Sequence, residues 1–376
     1  MNALQSVGLP RMMKEQGERR VFLPDFVHFL TALGVEVFLE EGYWSDGGFT
    51  IEEYQRDNPH VHRCSREEAF DRELVLILRA PERHEFNLLG RGSCLVTMLH
   101  YNTRPWRVQR LKDLGMRAVS LDSITDDNNL RLVENMRAVA WNGIDAAFTE
   151  LERSHPHLFE RYSCPIRVIV LGTGIVGKYA VEAATKMGSL NRNEGYMEKG
   201  GTGSVAVAAG RSVTSRTSIM RTLLESADIL VDATRRRNPS IPVVPNSWIA
   251  WLPPHAVVAD LAVDPYLPND RPPVVRGVEG IPQGNLDKYV FLPEDPDWER
   301  DIPDGVPTQN RRTVVSCYSW PGVHPQQCME HYSRQLKPFM ELLIEKGYDA
   351  LSPEGGYIER ALYRATLRAW LSRQEA

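Results

Sequence analysis

The chain has 376 residues, 42% hydrophobic and 25% charged, an ordinary globular composition that excludes a disordered chain and allows a sizeable core. With 44 basic and 49 acidic residues the formal net charge is −5, so no positive surplus exists to neutralise a phosphate backbone, and no nucleic-acid partner is expected. Apolar runs such as Leu74–Leu78 and Val205–Ala209 are far short of the roughly 18 residues a membrane span needs.

At roughly 150 residues per domain, two or three domains are expected. The first 20 residues hold no apolar stretch of signal-peptide type, so the expected location is cytoplasmic and no membrane partner is expected. In chain order, candidate strands fall at Arg20–Leu23, Val35–Glu40, Leu74–Leu78, Leu95–Met98 and Ala118–Leu121. Helices are expected between them at Pro24–Leu33, Arg66–Arg72 and Arg104–Leu114. That alternation predicts an α/β unit. His60, His62 and Cys64 alternate, but the Pro and charged residues around them predict a surface loop, and no metal site is expected. Cys64, Cys94, Cys164, Cys317 and Cys328 are odd in number with no CxxC spacing, which predicts reduced thiols. Asn129–Arg153 reads as a long amphipathic helix, followed by a linker at His155–Cys164.

The strongest local pattern is IRVIVLGTGIVGKYAVEAATKMG, Ile166–Gly188. A short run rich in β-branched residues, Ile166–Leu171, predicts a buried parallel strand. Gly172, Thr173, Gly174, Ile175, Val176 and Gly177 follow as GxGxxG, and Lys178–Met187 reads as helix with Gly188 at its C-cap. Gly172 suits the tight turn, Gly174 the approach of a pyrophosphate, and Gly177 close packing of helix on strand. Strand, glycine turn and helix in that order predict a Rossmann dinucleotide-binding unit. Further strands are expected at Ser204–Ala209, Asp228–Ala233 and Ala256–Leu261, with a helix at Ile219–Ser226. Gly188–Gly203 reads as a surface insertion, and Pro265–Arg312 as irregular loops. Gln326–Lys346 and Gly356–Arg373 read as helices placed to pack back on the N-terminal unit. No carboxylate lies between Ala206 and Arg221, where NAD-binding folds place one. Arg211, Ser212 and Arg216 there suit a phosphate monoester, so NADP is favoured, with NAD as the alternative.

Four charged or titratable residues adjoin apolar strands: Arg20 in ERRVFLP, Arg79 in LVLILRAPE, His100 in VTMLHYN and Asp264 in VVADLAVD. Strand ends aim such groups at the sheet edge where α/β folds place ligands. Together with the EEG–GF–EEY pattern of Glu40–Tyr54, VIVLGTGIVG, ADILVDA and SWPGVHP, these motifs occur in the order of the alanine dehydrogenase and pyridine-nucleotide transhydrogenase family, which the chain resembles from about Leu9 to Leu343. The resemblance implies two doubly wound α/β domains with a cleft between them. The first is a discontinuous substrate domain at 1–145 plus 318–376; the second is the dinucleotide-binding domain at 146–317. It also implies a homo-oligomer acting on small amino-acid and keto-acid substrates. It assigns Arg20 to the substrate carboxylate, His100 to proton transfer and Asp264 to the vicinity of substrate and nicotinamide.

Two departures stand out. Arg79 replaces the lysine of a KEP-like motif; arginine binds and orients but does not exchange protons near neutrality. Met136 stands in place of a serine in ENMRAVAWN. Both point towards the similar N5-(carboxyethyl)ornithine synthases, which reduce an imine of a keto acid and a side-chain amine using NADPH. In that reading Arg79 takes a second carboxylate. The alternatives are an amino-acid dehydrogenase of alanine or saccharopine type, and a nucleotide-binding sensor that has lost turnover.

Overall fold

The computed structural model describes residues 3–13, 17–56, 58–101, 104–160 and 164–375. Two compact units emerge: Met1–Asn135 with His324–Ala376, and Met136–Val323. The expected boundary at 145/146 falls inside a single helix, Met136–Ser154, which belongs to the second unit. Among the described residues no helix is long and apolar enough to cross a membrane.

The first unit holds six parallel strands: β1 (Ser6–Leu9), β2 (Glu36–Glu40), β3 (Val61–Cys64), β4 (Leu74–Arg79), β5 (Cys94–Met98) and β6 (Arg117–Ser120). Their order is β3-β2-β1-β4-β5-β6, so the winding reverses between β1 and β4. At such a reversal the loops after the strands part, and the carboxyl edge becomes a ligand site. β1 was not expected. It is short and carries Gly8, whose place is dictated by close packing: a Cβ there would lie 1.8 Å from the Ala69 carbonyl oxygen. Arg20–Leu23, expected as a strand, instead forms extended chain without a sheet partner. Val21 and Phe22 are buried, and the Phe22 backbone is satisfied by tyrosines: its N–H donates to Tyr43 Oη at 2.7 Å and its carbonyl accepts from Tyr54 Oη at 2.8 Å. The surface loop expected around His60–Cys64 is also a strand, β3, with His60 and His62 both held by Glu36.

The C-terminal helices complete this unit. Pro325–Lys346 packs on Pro24–Ala32 and Leu367–Glu375 on β6. The expected final helix is broken at Ala365–Thr366, where the Ser120 N–H donates to the Ala365 carbonyl and Thr366 bridges to Val119. The break covers the exposed edge of β6, which would otherwise be open to strand pairing.

The second unit contains β7 (Ile166–Leu171), β8 (Ser204–Ala209), β9 (Ile229–Asp232), β10 (Val257–Asp260), β11 (Val290–Phe291) and β12 (Thr313–Ser316). Their order is β11-β12-β10-β9-β7-β8, parallel except at β11. Both faces are covered, which is why β7 is apolar and buried from Val168 to Leu171. Ile166, Val168 and Val170 join Ala140, Ile144 and Phe148 on one side. Ile169 and Leu171 join Met220, Leu224 and Trp298 on the other. Both sheets are therefore doubly wound, the second of Rossmann type.

Gly188–Gly203, expected as a surface insertion, has regular structure of its own. It contains a helix, Leu190–Glu198, capped by the Ser189 hydroxyl and anchored by buried Tyr196. Pro265–Arg312 is largely irregular as expected, and buried Arg276 and Trp298 fasten it to the sheet. The expected linker begins with a short turn at Pro156–Phe159; its residues 161–163 lie outside the described residues.

Candidate active site

Two sets of functional groups stand on the carboxyl edges of the two sheets. In the first unit, β5 runs apolar to Met98 and the chain then turns sharply. His100 has φ +53°, a left-handed conformation that is uncommon outside glycine and that clusters at functional sites. Its backbone N–H donates to Asp122 Oδ1 at 3.1 Å, and its Nδ1 lies 3.3 Å from Asp122 Oδ2. Asp122 follows β6 by two residues and accepts from the Ser120 hydroxyl at 2.7 Å. Burial pushes the Asp122 carboxyl up, but the bonds from His100 and Ser120 outweigh it and hold the group well below the usual carboxylate range. Asp122 is 8% exposed and the His100 side chain 43%. A fixed carboxylate on Nδ1 sets the tautomer and leaves Nε2 for proton transfer.

Arg79 ends β4 directly beside β5. The ladder slips between Leu76 and Arg79, where one extra residue in β4 re-aims the strand end. Arg20 lies in the loop after β1, across the reversal of strand order from Arg79. Its fork is closed on Glu18, with Nε to Oε1 at 2.7 Å and Nη2 to Oε2 at 2.6 Å. Both side chains are almost fully buried. Burial works against the Arg20 charge, and Glu18 more than offsets it.

In the second unit the three glycines have three distinct environments. Gly172 has φ +104°, and a Cβ on it would lie 2.4 Å from the Ala233 oxygen. On Gly177 it would lie 2.1 Å from the Gly172 oxygen. On Gly174 it would meet nothing within 4 Å. Two glycines are thus required by the fold, while the third opens outward as the N-cap of helix Ile175–Ala184. Thr173, Gly174 and Ile175 are exposed and Val176 is half-buried. That cradle fits a dinucleotide pyrophosphate at a helix N-terminus. The helix starts three residues before the expected Lys178. Arg211 and Ser212 open the short helix after β8, and Arg216 precedes the next one. All three are exposed, and neither arginine makes an ion pair among the described residues.

Asp264 follows Val263, a β-branched residue at φ +50°, where backbone strain is marked. Asp264 Oδ2 accepts from Arg236 Nη2 at 2.6 Å, and Arg236 is buried. Asp232, the last residue of β9, is 1% exposed. Its Oδ1 accepts from the Thr234 N–H and hydroxyl, whereas Oδ2 has no hydrogen-bond partner among the described residues. Burial, then the charge of Asp260 on the neighbouring strand, raises its carboxyl to about 6. Asp260 itself is satisfied by Arg276 and Ser316.

A carboxyl raised in the folded state stabilises below its unfolded pKa, and that stability is lost as pH rises through about 6. Asp232→Asn should therefore raise Tm at pH 8, by about 2–4 °C per kcal/mol recovered, and the gain should vanish towards pH 4. Thermal melts across that range measure it; a constant or absent gain would assign Asp232 no titration in this window.

Sequence patterns did not single out Asp122, Arg236 or Asp232. Asp122 obeys the same pattern that identified His100, an apolar strand followed by a charged residue. Arg236 sits in the run Arg235–Arg237 immediately beyond β9.

Comparison with known proteins finds similar chains among alanine dehydrogenases and a transhydrogenase. The family profile of the alanine dehydrogenase/PNT N-terminal domain matches residues 8–140. The alanine dehydrogenase of Bacillus subtilis is 26% identical over 189 residues, 49% of this chain and 50% of that enzyme. The Methanococcus maripaludis alanine dehydrogenase is 23% identical over 276 residues, 69% of this chain and 72% of that enzyme. Among solved structures, an L-alanine dehydrogenase superposes with TM-score 0.69 at 20% identity, covering 96% of this chain and 94% of its own. A transhydrogenase from Sinorhizobium meliloti gives 0.63 at 15% identity, covering 95% and 97%. Residues 8–140 thus match the alanine dehydrogenase/PNT N-terminal domain, and the chain is similar to alanine dehydrogenases over a larger part of its length.

Proposed function

We propose that the chain is a nicotinamide-nucleotide-dependent oxidoreductase of amino acids, and that it reduces the imine formed between a keto acid and an amino acid's amine, with NADP as the preferred cofactor. The observation that carries this reading is the His100–Asp122 pair on the edge where Arg79 replaces a lysine. Condensation of keto acid and amine releases water. Reduction then consumes one hydride and one proton and leaves a secondary amine.

The nucleotide, when bound, supplies the hydride. Gly172–Gly177 hold its pyrophosphate, and Arg211, Ser212 and Arg216 its ribose phosphate. His100 moves the proton at Nε2 while Asp122 holds Nδ1. Arg20 binds a substrate carboxylate by exchanging it for that of Glu18, and Arg79 binds a second one. Asp264, fixed by Arg236, holds the substrate amine. An amino-acid dehydrogenase releasing ammonia is the second reading, supported by the names of the relatives.

Initial rates of NADPH oxidation with a keto acid plus either ammonia or a diamino acid discriminate the two. Turnover requiring the diamino acid supports imine reduction; turnover with ammonia alone supports the dehydrogenase. On the cofactor side, NADPH should bind more tightly than NADH, and Arg211→Ala should narrow the gap by about 1–3 kcal/mol, the scale of a charge-assisted hydrogen bond. Fluorescence titration reads both constants, and a preference for NADH in the wild-type chain would overturn the NADP assignment.

A further inference from the structure

β8 is the last strand of the second sheet, and its outer side is open. After β8 the chain passes through two helices, Arg211–Thr214 and Thr217–Glu225, and goes straight to β9 on the other side of β7. The usual six-stranded dinucleotide fold has the strand order 3-2-1-4-5-6, with a third strand outside the second. Here β8 holds the second position, and no strand among the described residues holds the third.

The ladder shows which backbone groups that edge presents. The Ile166 N–H donates to the Gly203 carbonyl at 3.1 Å, and the Gly172 N–H to the Ala209 carbonyl at 2.9 Å. Bonding residues alternate along a parallel strand, so Val205, Val207 and Ala209 face β7 with their N–H and carbonyl groups. Those of Ser204, Ala206 and Ala208 therefore point outward. Val205 and Ala208 are exposed. The strand reads SVAVAA, with no lysine, proline or acidic residue, and its register on β7 runs without a bulge. These are the devices that normally blunt an edge strand. Close to its start, helix Leu190–Glu198 exposes Leu190 and Met197, which are seven residues apart and so share one face. The Met197 sulfur lies 3.8 Å from where a Cβ on Gly203 would sit.

We propose that this edge is the two-fold interface of a homodimer, in which β8 pairs antiparallel with β8 of a second copy about an axis at Ala206. Backbone bonds are exchanged between Ser204 and the partner's Ala208, between Ala206 and the partner's Ala206, and between Ala208 and the partner's Ser204. Two six-stranded sheets thereby become one continuous sheet. A second copy is the occupant because the edge is its own complement. Its outward groups are symmetric about Ala206, its outward residues are small, and it carries no charge. The antiparallel sense also separates like charges. Arg211, the first charged residue beyond β8, falls opposite the neutral Gly200–Gly203 run of the other copy. The two arginines then lie roughly 30 Å apart, at about 3.3 Å per residue, whereas a parallel pairing would bring them together.

Sedimentation velocity of the full chain at micromolar concentration tests the pairing. The wild-type chain should sediment as a dimer or a multiple of one. Ala206→Pro removes an N–H that faces outward and spares every bond to β7, as proline does on an edge strand. Its mass should halve while Tm stays close to the wild-type value. Val205→Lys, at an exposed position, should halve the mass as well, because it sets two like charges on diagonal positions across the axis. Val205→Glu should do the same, and an equimolar mixture of the V205K and V205E chains should restore the assembly that neither forms alone. If Ala206→Pro fails to fold, the two Val205 variants and their mixture decide. A monomeric wild-type chain overturns the proposal and leaves the edge to a strand of a different protein. Folded variants with wild-type mass and affinity overturn it too. Monomeric variants whose mixture stays monomeric overturn the antiparallel register at Ala206.

Discussion

His100→Asn should lower kcat by about 10²–10⁴, the usual contribution of a positioned acid or base, while nucleotide affinity stays at its wild-type value. Asparagine is the proper replacement because residue 100 sits at φ +53°, and asparagine tolerates the left-handed region far better than alanine. It keeps the backbone N–H that reaches Asp122 and loses only the titratable ring. The nucleotide loop lies in the other unit, with its own core, so it should be undisturbed. Asp122→Asn should reduce kcat as well, by freeing the tautomer that the carboxylate now sets. Stopped-flow turnover beside nucleotide titration separates the two effects. Near wild-type kcat in His100→Asn would place proton transfer on another group.

Two glycine substitutions should divide stability from binding. Gly174→Val meets open space and keeps an ordinary backbone angle, φ −75°, so the chain should fold with an unchanged Tm. The new side chain would occupy the approach of the pyrophosphate, and nucleotide affinity should fall at least about a hundredfold, a loss of roughly 2.7 kcal/mol. Gly177→Ala does the opposite first. Its Cβ would lie 2.1 Å from the Gly172 oxygen, backbone against backbone, so β7 and the helix must separate. Overpacking of that kind costs about 1–3 kcal/mol, and Tm should drop even without ligand. Equal behaviour of the two variants in both thermal melts and titrations would contradict a pyrophosphate seat at Gly174.

Much of the second unit was legible in the sequence because β9 and β10 are buried throughout and β7 from Val168 onward. β7 and β8 match the expected residues, since mainly apolar runs that stop at Gly172 and Gly210 leave little freedom of register. The first unit was harder. The apolar run after Arg20 has the composition of a strand, yet its backbone partners are the hydroxyls of Tyr43 and Tyr54, more than 20 residues away. The true first strand hides in SVGL because a four-residue strand with a glycine has no periodicity to detect. Leu190–Glu198 lies in a polar stretch that predicts a surface insertion; Tyr196, buried with the core of the second unit, explains why a helix is stable there.

For the candidate site, local pattern singled out His100, Arg79 and Asp264, each at or beyond the end of an apolar strand. Partnership was not local. Asp122 lies 22 residues from His100, and Arg236 lies 28 from Asp264. The closure of Arg20 on Glu18, two residues away, was within reach of the sequence, but charge proximity alone does not distinguish a bidentate pair from two solvated ends.

The most direct test is the mass of the product. The full chain is incubated with a keto acid, a diamino acid and NADPH carrying deuterium at the transferable position, and products are identified by mass spectrometry. A secondary amine should form, with the mass of both substrates less water plus the two added hydrogens, and with deuterium on the carbon bonded to nitrogen. Deuterium found only in the amino acid derived from the keto acid and ammonia, or in a hydroxy acid, would contradict joining of the two substrates through a C–N bond.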